Sequence, residues 1–142
     1  MSKLYNAGLG SLLDGTVSWL NGDIQAMVLS GNVFNDNDEY VADVVTDEVT
    51  NAIGTGYERK VLFGKTVTVD QANDRVTFDA TDLSFTGVET NETWDAVAIY
   101  DNTGSDATSR LICYLDIDTL VTNGSDASVT FSASGVFRIN NT

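Results

Sequence analysis

The stretch of sequence that decides the fold runs from Thr93 to Asp116 and reads TWDAVAIYDNTGSDATSRLICYLD. Its two ends, Trp94–Tyr100 and Arg110–Leu115, are rich in apolar, aromatic and β-branched residues. The segment between them, Asp101–Asp106, has the composition of a turn. The pattern predicts two antiparallel strands joined by a polar loop.

Both predicted strands are apolar on both faces, which is unusual for a sheet with one side in water. Because side chains alternate along a strand, each strand divides into two sets. In the first strand, one face carries Trp94, Ala96, Ala98 and Tyr100, and the other carries Val97 and Ile99. In the second strand, one face carries Ile112 and Tyr114, and the other carries Leu111, Cys113 and Leu115. The two strands are therefore predicted to be central. The core should cover one face, and a helix, the N-terminal segment or another subunit should cover the other.

Composition limits the class of protein. The chain has 142 residues, of which 42% are hydrophobic, and this suffices for one domain with a core. The 21 acidic and 7 basic residues give a formal net charge of −14, which opposes binding to nucleic acid or to an anionic membrane. Cys113 is the sole cysteine, so no intrachain disulfide can form, and its place in a strand predicts a core residue. No membrane span or signal peptide is expected.

Further apolar runs separated by turn residues predict an all-β fold. Eight or nine short strands at intervals of about 8 to 12 residues are typical of a single antiparallel β-sandwich or jelly-roll-like domain, here assigned to residues 11–142. Residues 1–10 are predicted to be an N-terminal arm. Its apolar side chains, Leu4, Tyr5 and Leu9, would need the surface of a partner, so they are the predicted interface residues.

Several local signals predict individual elements. Asn21-Gly22 predicts a type I′ hairpin between Thr16–Leu20 and Asp23–Leu29. Residues 36–49 predict the one short helix, a lid on the two central strands, with a capping box formed by Asp36 and Glu39. A second hairpin is predicted from residues 66–70 and 75–79, with Val67 and Val69 on its buried side. Residues 51–56 are predicted to be a loop, and residues 117–126 to be mostly connection.

The residues that would carry chemistry are largely missing from the sequence. It contains no histidine, so no Ser-His-Asp or Cys-His arrangement can form, and it contains no glycine-rich phosphate loop. Paired carboxylates remain an alternative, but no spacing singles out a pair among the acids. The chain is therefore predicted not to be an enzyme and to need no cofactor. The one metal considered is calcium, with Asp101 and Asp106 as candidate ligands, although their spacing is not that of an EF-hand.

Five segments carry a resemblance to a known family. They are LYNAGLGSLLDGTVSWLNGDIQAMVL (4–29), GTGYERKVLFGKTVTVD (54–70), NDRVTFDATD (73–82), YDNTGSDATSRLICYLD (100–116) and GVFRI (135–139). They are spread over nearly the whole chain and resemble tailed-bacteriophage virion structural proteins, most closely small β-rich head decoration (cement) proteins. The resemblance implies a structural role in an assembled particle and names no catalytic residue.

Three functional hypotheses follow. The first is a capsid decoration protein that forms a homo-oligomer, expected to be a trimer at a three-fold site. It would bind the major capsid protein or another virion protein on the capsid exterior, after assembly in the bacterial host cytoplasm. The second is a tail, connector or fibre component, such as a receptor- or glycan-binding β-sandwich with exposed Trp94 or Trp19. Core positions are favoured for both tryptophans. The third, a small hydrolase, is disfavoured by the missing histidine.

Overall fold

Ten strands and two helices form the part of the chain that the computed structural model describes, residues 2–49 and 56–141. The strands are β1 (Ser2–Leu4), β2 (Ile24–Leu29), β3 (Lys60–Val61), β4 (Thr66–Asp70), β5 (Arg75–Asp79), β6 (Leu83–Phe85), β7 (Thr90–Asp101), β8 (Arg110–Asn123), β9 (Ala127–Val129) and β10 (Phe137–Asn140). The helices are α1 (Asn6–Asp14) and α2 (Val41–Val44), and a 3-10 turn, Val45–Asp47, follows α2. The loop predicted over residues 51–56 lies, except for Gly56, outside the described residues.

The strands form three antiparallel sheets. A five-stranded sheet has the order β1-β8-β7-β2-β3, a three-stranded sheet the order β10-β5-β4, and β6 pairs with β9. Residues of the small sheets share one apolar core with β2, β7 and β8 of the large sheet. The prediction of an all-β, sandwich-like domain is confirmed, with two helices where one was expected.

The two strands predicted to organise the fold do so, and both of their faces are covered. They are β7 and β8, and both are longer than predicted. Strand β8 continues to Asn123, through most of the stretch 117–126 that was expected to be a connection. The first core lies between the large sheet and the small ones. The second core lies on the opposite face and is closed by Tyr5, Val41 and Val44, with Phe34 packed against it. The N-terminal segment and α2 thus both cover the second face of β7 and β8. The prediction that a helix from residues 36–49 covers these strands is confirmed.

β-Bulges change which residues share a face. Ile99 pairs with Cys113 and Tyr100 with Leu111, so Ile112 is an extra residue in β8. As a result Leu111 lies in the second core with Tyr114, whereas Ile112 and Cys113 both lie in the first. The predicted assignment of β8 residues to the two faces is therefore wrong, because it assumed strict alternation and a bulge interrupts that alternation.

A second irregularity moves Trp94. The ladder shifts between Trp94 and Ala96, and Trp94 joins the first core while Ala96 lies in the second. The prediction that these two residues share a face is wrong for the same reason: strict alternation holds only while the register is continuous.

The prediction that residues 1–10 form an arm is wrong for the nine of them that the structure describes. Ser2–Leu4 pairs with β8, and helix α1 begins at Asn6. Between the two elements, the Tyr5 N–H donates to the Ile112 carbonyl oxygen at 3.1 Å. Gly8 allows the helix to approach the strand, since a Cβ there would lie 2.1 Å from the Leu111 carbonyl oxygen. Residues 2–10 are therefore part of the domain.

The hairpin predicted at Asn21-Gly22 does not form. Residues 16–20 are not a strand, and β2 pairs instead with β7 and β3. The Gly22 N–H donates to the Ser18 carbonyl oxygen at 2.8 Å, and Gly22 has no positive φ. A Cβ at this position would lie 2.5 Å from the Ser18 oxygen. Glycine is therefore needed here for space, whereas a type I′ turn would need it for its conformation.

The predicted helix over residues 36–49 shortens to α2 and the 3-10 turn. Its valines are β-branched and lose side-chain freedom in a helix, which favours a short element. The Asp43 carboxylate accepts hydrogen bonds from the backbone N–H groups of Tyr40 and Glu39, each at 2.9 Å. These bonds hold the pKa of Asp43 below its usual value. The start of the helix is thus stabilised at Tyr40 and Asp43, and the capping box predicted at Asp36 and Glu39 is wrong.

Candidate interaction surface

The predicted interface residues lie at the junction of β1 and α1. Tyr5 is 0% exposed, and burial raises the pKa of its hydroxyl. Leu4 is half-buried and packs against the first core, and Leu9 is also half-buried. Tyr5 therefore closes the second core of its own domain and is not available to a partner.

The two aspartates of the candidate calcium site lie in different environments. Burial, and secondarily the Asp23 carboxylate, raise the pKa of Asp101. Hydrogen bonds from Arg59 lower the pKa of Asp106, whose Oδ1 lies 2.7 Å from the guanidinium. Nowhere in residues 2–49 and 56–141 do three or more acidic or cysteine side chains converge to hold a metal ion. The charge of Asp106 is balanced by an arginine of the same chain.

Arg59 is the centre of a network that the sequence analysis missed. Its guanidinium donates to Glu48 at 2.7 and 2.8 Å as well as to Asp106, and it lies 5.7 Å from the centre of the Tyr100 ring. The Tyr57 hydroxyl donates to the same Glu48 carboxylate at 2.7 Å. The network ties the segment after α2 to the β7–β8 loop. Its partners are 11 and 47 residues from Arg59 along the chain, so no local spacing could signal it.

The two tryptophans are core residues, as the favoured interpretation predicted. Trp94 is 0% exposed and packs against Phe85, with ring centres 5.0 Å apart. Trp19 is also buried, and its indole N–H donates to the Thr66 carbonyl oxygen at 3.1 Å. Neither ring is presented at the surface, which removes the feature that a glycan-binding role would have used.

The three-stranded sheet carries two apolar rows, and only one of them is packed. In the inner row Val67, Phe78 and Phe137 are paired across the sheet, and Trp19 packs on both phenylalanine rings. The next row, one step along the hairpin, consists of Val69, Val76 and Ile139, and is called the outer apolar row below. Val76 and Ile139 are half-buried, and Val69 is 65% exposed. The hairpin was predicted correctly, but the predicted burial of Val67 and Val69 is wrong, since their side chains are 39% and 65% exposed.

Strand β4 is an edge strand with little protection. Its register with β5 is continuous over all five residues, so it has no bulge, and it contains neither proline nor lysine. Natural edge strands usually carry one of these devices to prevent pairing with another chain. Phe63, just before β4, is 71% exposed and adds apolar surface nearby. The outer apolar row and the β4 edge together form the candidate interaction surface.

Comparisons with known proteins identify no relative. No family model matches the chain, and neither a curated protein nor a solved structure matches it. Within the described residues, no helix has the length and apolar character needed to cross a membrane.

Proposed function

We propose that this protein is a non-catalytic structural component of a tailed-bacteriophage virion, a head decoration protein that binds the capsid exterior as a homo-oligomer. The observation that carries the proposal is the β4 edge, which has no bulge, proline or lysine, beside the partly exposed outer apolar row. Soluble monomers rarely leave a regular apolar edge strand open, because it can pair with other chains. A partner that covers this surface removes it from water.

Two further features agree with this role. The resemblance of the five sequence segments points to the same class of protein. The net charge of −14 suits a surface that faces solvent on the outside of a particle, since it opposes contact with the packaged DNA. The proposed partner is the major capsid protein, and the proposed oligomer is a trimer with closed symmetry at a three-fold site of the shell.

The attachment experiment uses phage particles from which the protein has been stripped. Purified wild-type protein and a Val69→Lys variant are added back, and the bound fraction is measured by co-sedimentation. Burying a lysine in an apolar interface should weaken binding by about tenfold or more. Val33→Lys is the matched control, because Val33 is 85% exposed and lies outside the candidate interaction surface. Equal binding of both variants would rule out this surface as the anchor.

Position in the virion is tested by the copy number of the protein in purified particles, measured by quantitative mass spectrometry. A copy number comparable to that of the major capsid protein supports the head role. A copy number that matches a single ring or fibre would favour the tail or connector alternative. A monomer in light scattering that binds no virion component would remove the assembly proposal.

A further inference from the structure

One long edge of the five-stranded sheet is covered for only a short part of its length. Strand β8 pairs with β7 as far as Asn123 on one side. On its other side, β1 pairs only with residues 113–115. Among the described residues, no strand pairs with residues 117–123 on that side. The backbone groups along this edge can therefore accept and donate hydrogen bonds to an added chain.

A bulge in the pairing of β8 with β7 lies beside the open part of this edge. Between the pairs formed by Asp116 and Leu120, β8 has three residues where β7 has only Asp95. The extra residues of a bulge lack a partner in the ladder. Bulges are common next to functional sites, where they redirect side chains and end regular pairing. Strand β8 is thus irregular where it pairs with β7, and it is open on its opposite side.

The open edge borders a cleft of about 780 Å³. One wall is β8 from Leu115 to Leu120, and the other includes Ser128 of β9 and Val136 and Arg138 at β10. Six residues of strand span about 20 Å, which makes the wall long compared with a small molecule. The length and the exposed backbone both suit an extended polypeptide segment.

The side chains of β8 give this wall an alternating character. Leu115 and Ile117 pack against the first core and present apolar surface to the inner side of the cleft. Asp116 and Asp118 alternate with them and are exposed. A strand added beside β8 would place every second side chain over the apolar positions and the others beside the carboxylates.

Strand β1 already follows this rule on the same edge. Leu4 pairs with Cys113 and packs against the first core, whereas Lys3 extends to the other side and forms an ion pair with Asp116 at 3.3 Å. The residues that occupy the covered part of the edge are therefore an example of the chemistry that the open part requires: apolar inward and basic outward.

We propose that the cleft binds an extended segment of another polypeptide, which adds to the five-stranded sheet beside residues 117–120 and carries alternating apolar and basic side chains. Its backbone bonds to the open edge of β8, its apolar side chains cover Ile117, and a basic side chain lies beside Asp118. The inference goes beyond the proposed virion role and does not depend on it, because it is tested on the isolated protein.

The test uses the synthetic peptide Lys-Val-Lys-Val-Lys-Val-Lys with blocked ends, titrated into isotopically labelled full-length protein and followed by NMR. We expect shifts and slowed hydrogen exchange at the amides of residues 117–120. A peptide of the same composition in block order, Lys-Lys-Lys-Lys-Val-Val-Val, should bind about tenfold more weakly, since it cannot alternate faces. An alternating Glu-Val peptide should not bind, because it places like charges beside Asp118.

Protein variants separate the site from the overall negative field. Asp118→Lys should weaken binding of the alternating Lys-Val peptide by about tenfold. The control is Glu58→Lys, which changes the net charge equally at an exposed position before β3, the opposite edge strand of the sheet. Equal loss in both variants, equal binding of the block peptide, shifts located at β4 or no binding at all would each overturn the proposal. Its failure would leave the co-sedimentation test of the virion role unaffected.

Discussion

The five-stranded and the three-stranded sheets both contain strands rich in β-branched residues, but they differ in how much of them is buried. Val97, Ala98 and Ile99 in the large sheet are all 0% exposed, and two separate cores cover its two faces. In the small sheet, Val69 occupies an equally apolar position of a regular strand and is 65% exposed. An alternating pattern thus makes a strand, but a second layer must be present before that strand contributes a buried face.

The difference also separates two roles in the molecule. The large sheet and Tyr5 supply nine of the twelve largest fully buried side chains, and burial of such side chains stabilises the fold. The small sheet extends beyond the core at the outer apolar row, where side chains are available to a partner. If the two roles are separate, substitutions should cost the most stability in the second core and the least in the outer apolar row.

Removal of the Tyr5 ring should give the largest loss of stability. Tyr5→Ala would leave a cavity in the second core and should lower the free energy of unfolding by about 3–5 kcal/mol, measured by urea denaturation. Tyr5→Phe is the control and should be close to neutral, because the buried hydroxyl has no hydrogen-bond partner among the described residues. A tolerated Tyr5→Ala would instead mean that the N-terminal segment is the arm that the sequence predicted.

Two glycines of α1 should respond in opposite directions to the same substitution. Gly8→Ala places a Cβ against the backbone of β8 and should destabilise by about 1–3 kcal/mol. Gly10 has open space around it, so Gly10→Ala should stabilise by about 0.5–1 kcal/mol through helix propensity. Thermal melting of both variants measures the difference. Similar melting temperatures would show that α1 does not pack closely on the strand.

Two aspartates of the β7–β8 loop should give opposite pH dependence. The pKa of Asp106 is lowered in the folded state, so its contribution to stability is present above its ordinary pKa and is lost as pH falls through the lowered value. Asp106→Asn should therefore reduce the melting temperature at neutral pH and flatten its decrease on acidification. Melting is followed from about pH 7 to pH 3.

Asp101 is the matched comparison. Its raised pKa means that the ionised form costs stability, so the wild-type protein gains stability at this site as pH falls through the raised value. Asp101→Asn removes that cost and should leave the melting temperature at neutral pH unchanged or higher. A loss equal to that of Asp106→Asn would contradict the assignment of the two environments.

The smallest effect on stability is expected in the outer apolar row. Val69→Lys should change the free energy of unfolding of the isolated protein by no more than about 0.5 kcal/mol, because the side chain is largely in water. Chemical denaturation of the variant used for co-sedimentation provides this measurement. A loss above about 1 kcal/mol would mean that the row is already covered within the domain.

The elements that were predicted correctly depend on local chemistry. Strands β7 and β8 and the hairpin of β4 and β5 follow from apolar alternation and from turn residues close to them in sequence. The Asn21-Gly22 turn also had a strong local signal, but the predicted hairpin does not form, and the helix predicted over residues 36–49 is limited to Val41–Val44 and the 3-10 turn after it. In each case a more distant contact decided the outcome: β2 pairs with β7, and α2 packs on the large sheet.

The candidate sites were less predictable than the strands. The cleft beside β8 exists because β1 pairs with only three residues of that strand, and a bulge lies next to it. No spacing of residues in the sequence signals either feature. The ion pairs of Arg59 join three segments that are far apart in sequence. The exposure of Val69 depends on where the other sheets end and not on its own strand.

By itself, the sequence determined that the chain is acidic, rich in short strands and centred on β7 and β8, because charge, turn chemistry and alternation are properties of neighbouring residues. Only the tertiary structure decided that residues 2–10 belong to the domain, that Trp94 and Ala96 lie in different cores and that the outer apolar row faces solvent. These outcomes depend on register and on which layers meet. A single extra residue in a strand reverses the facing of every side chain after it, and burial requires a partner surface supplied by a remote part of the chain.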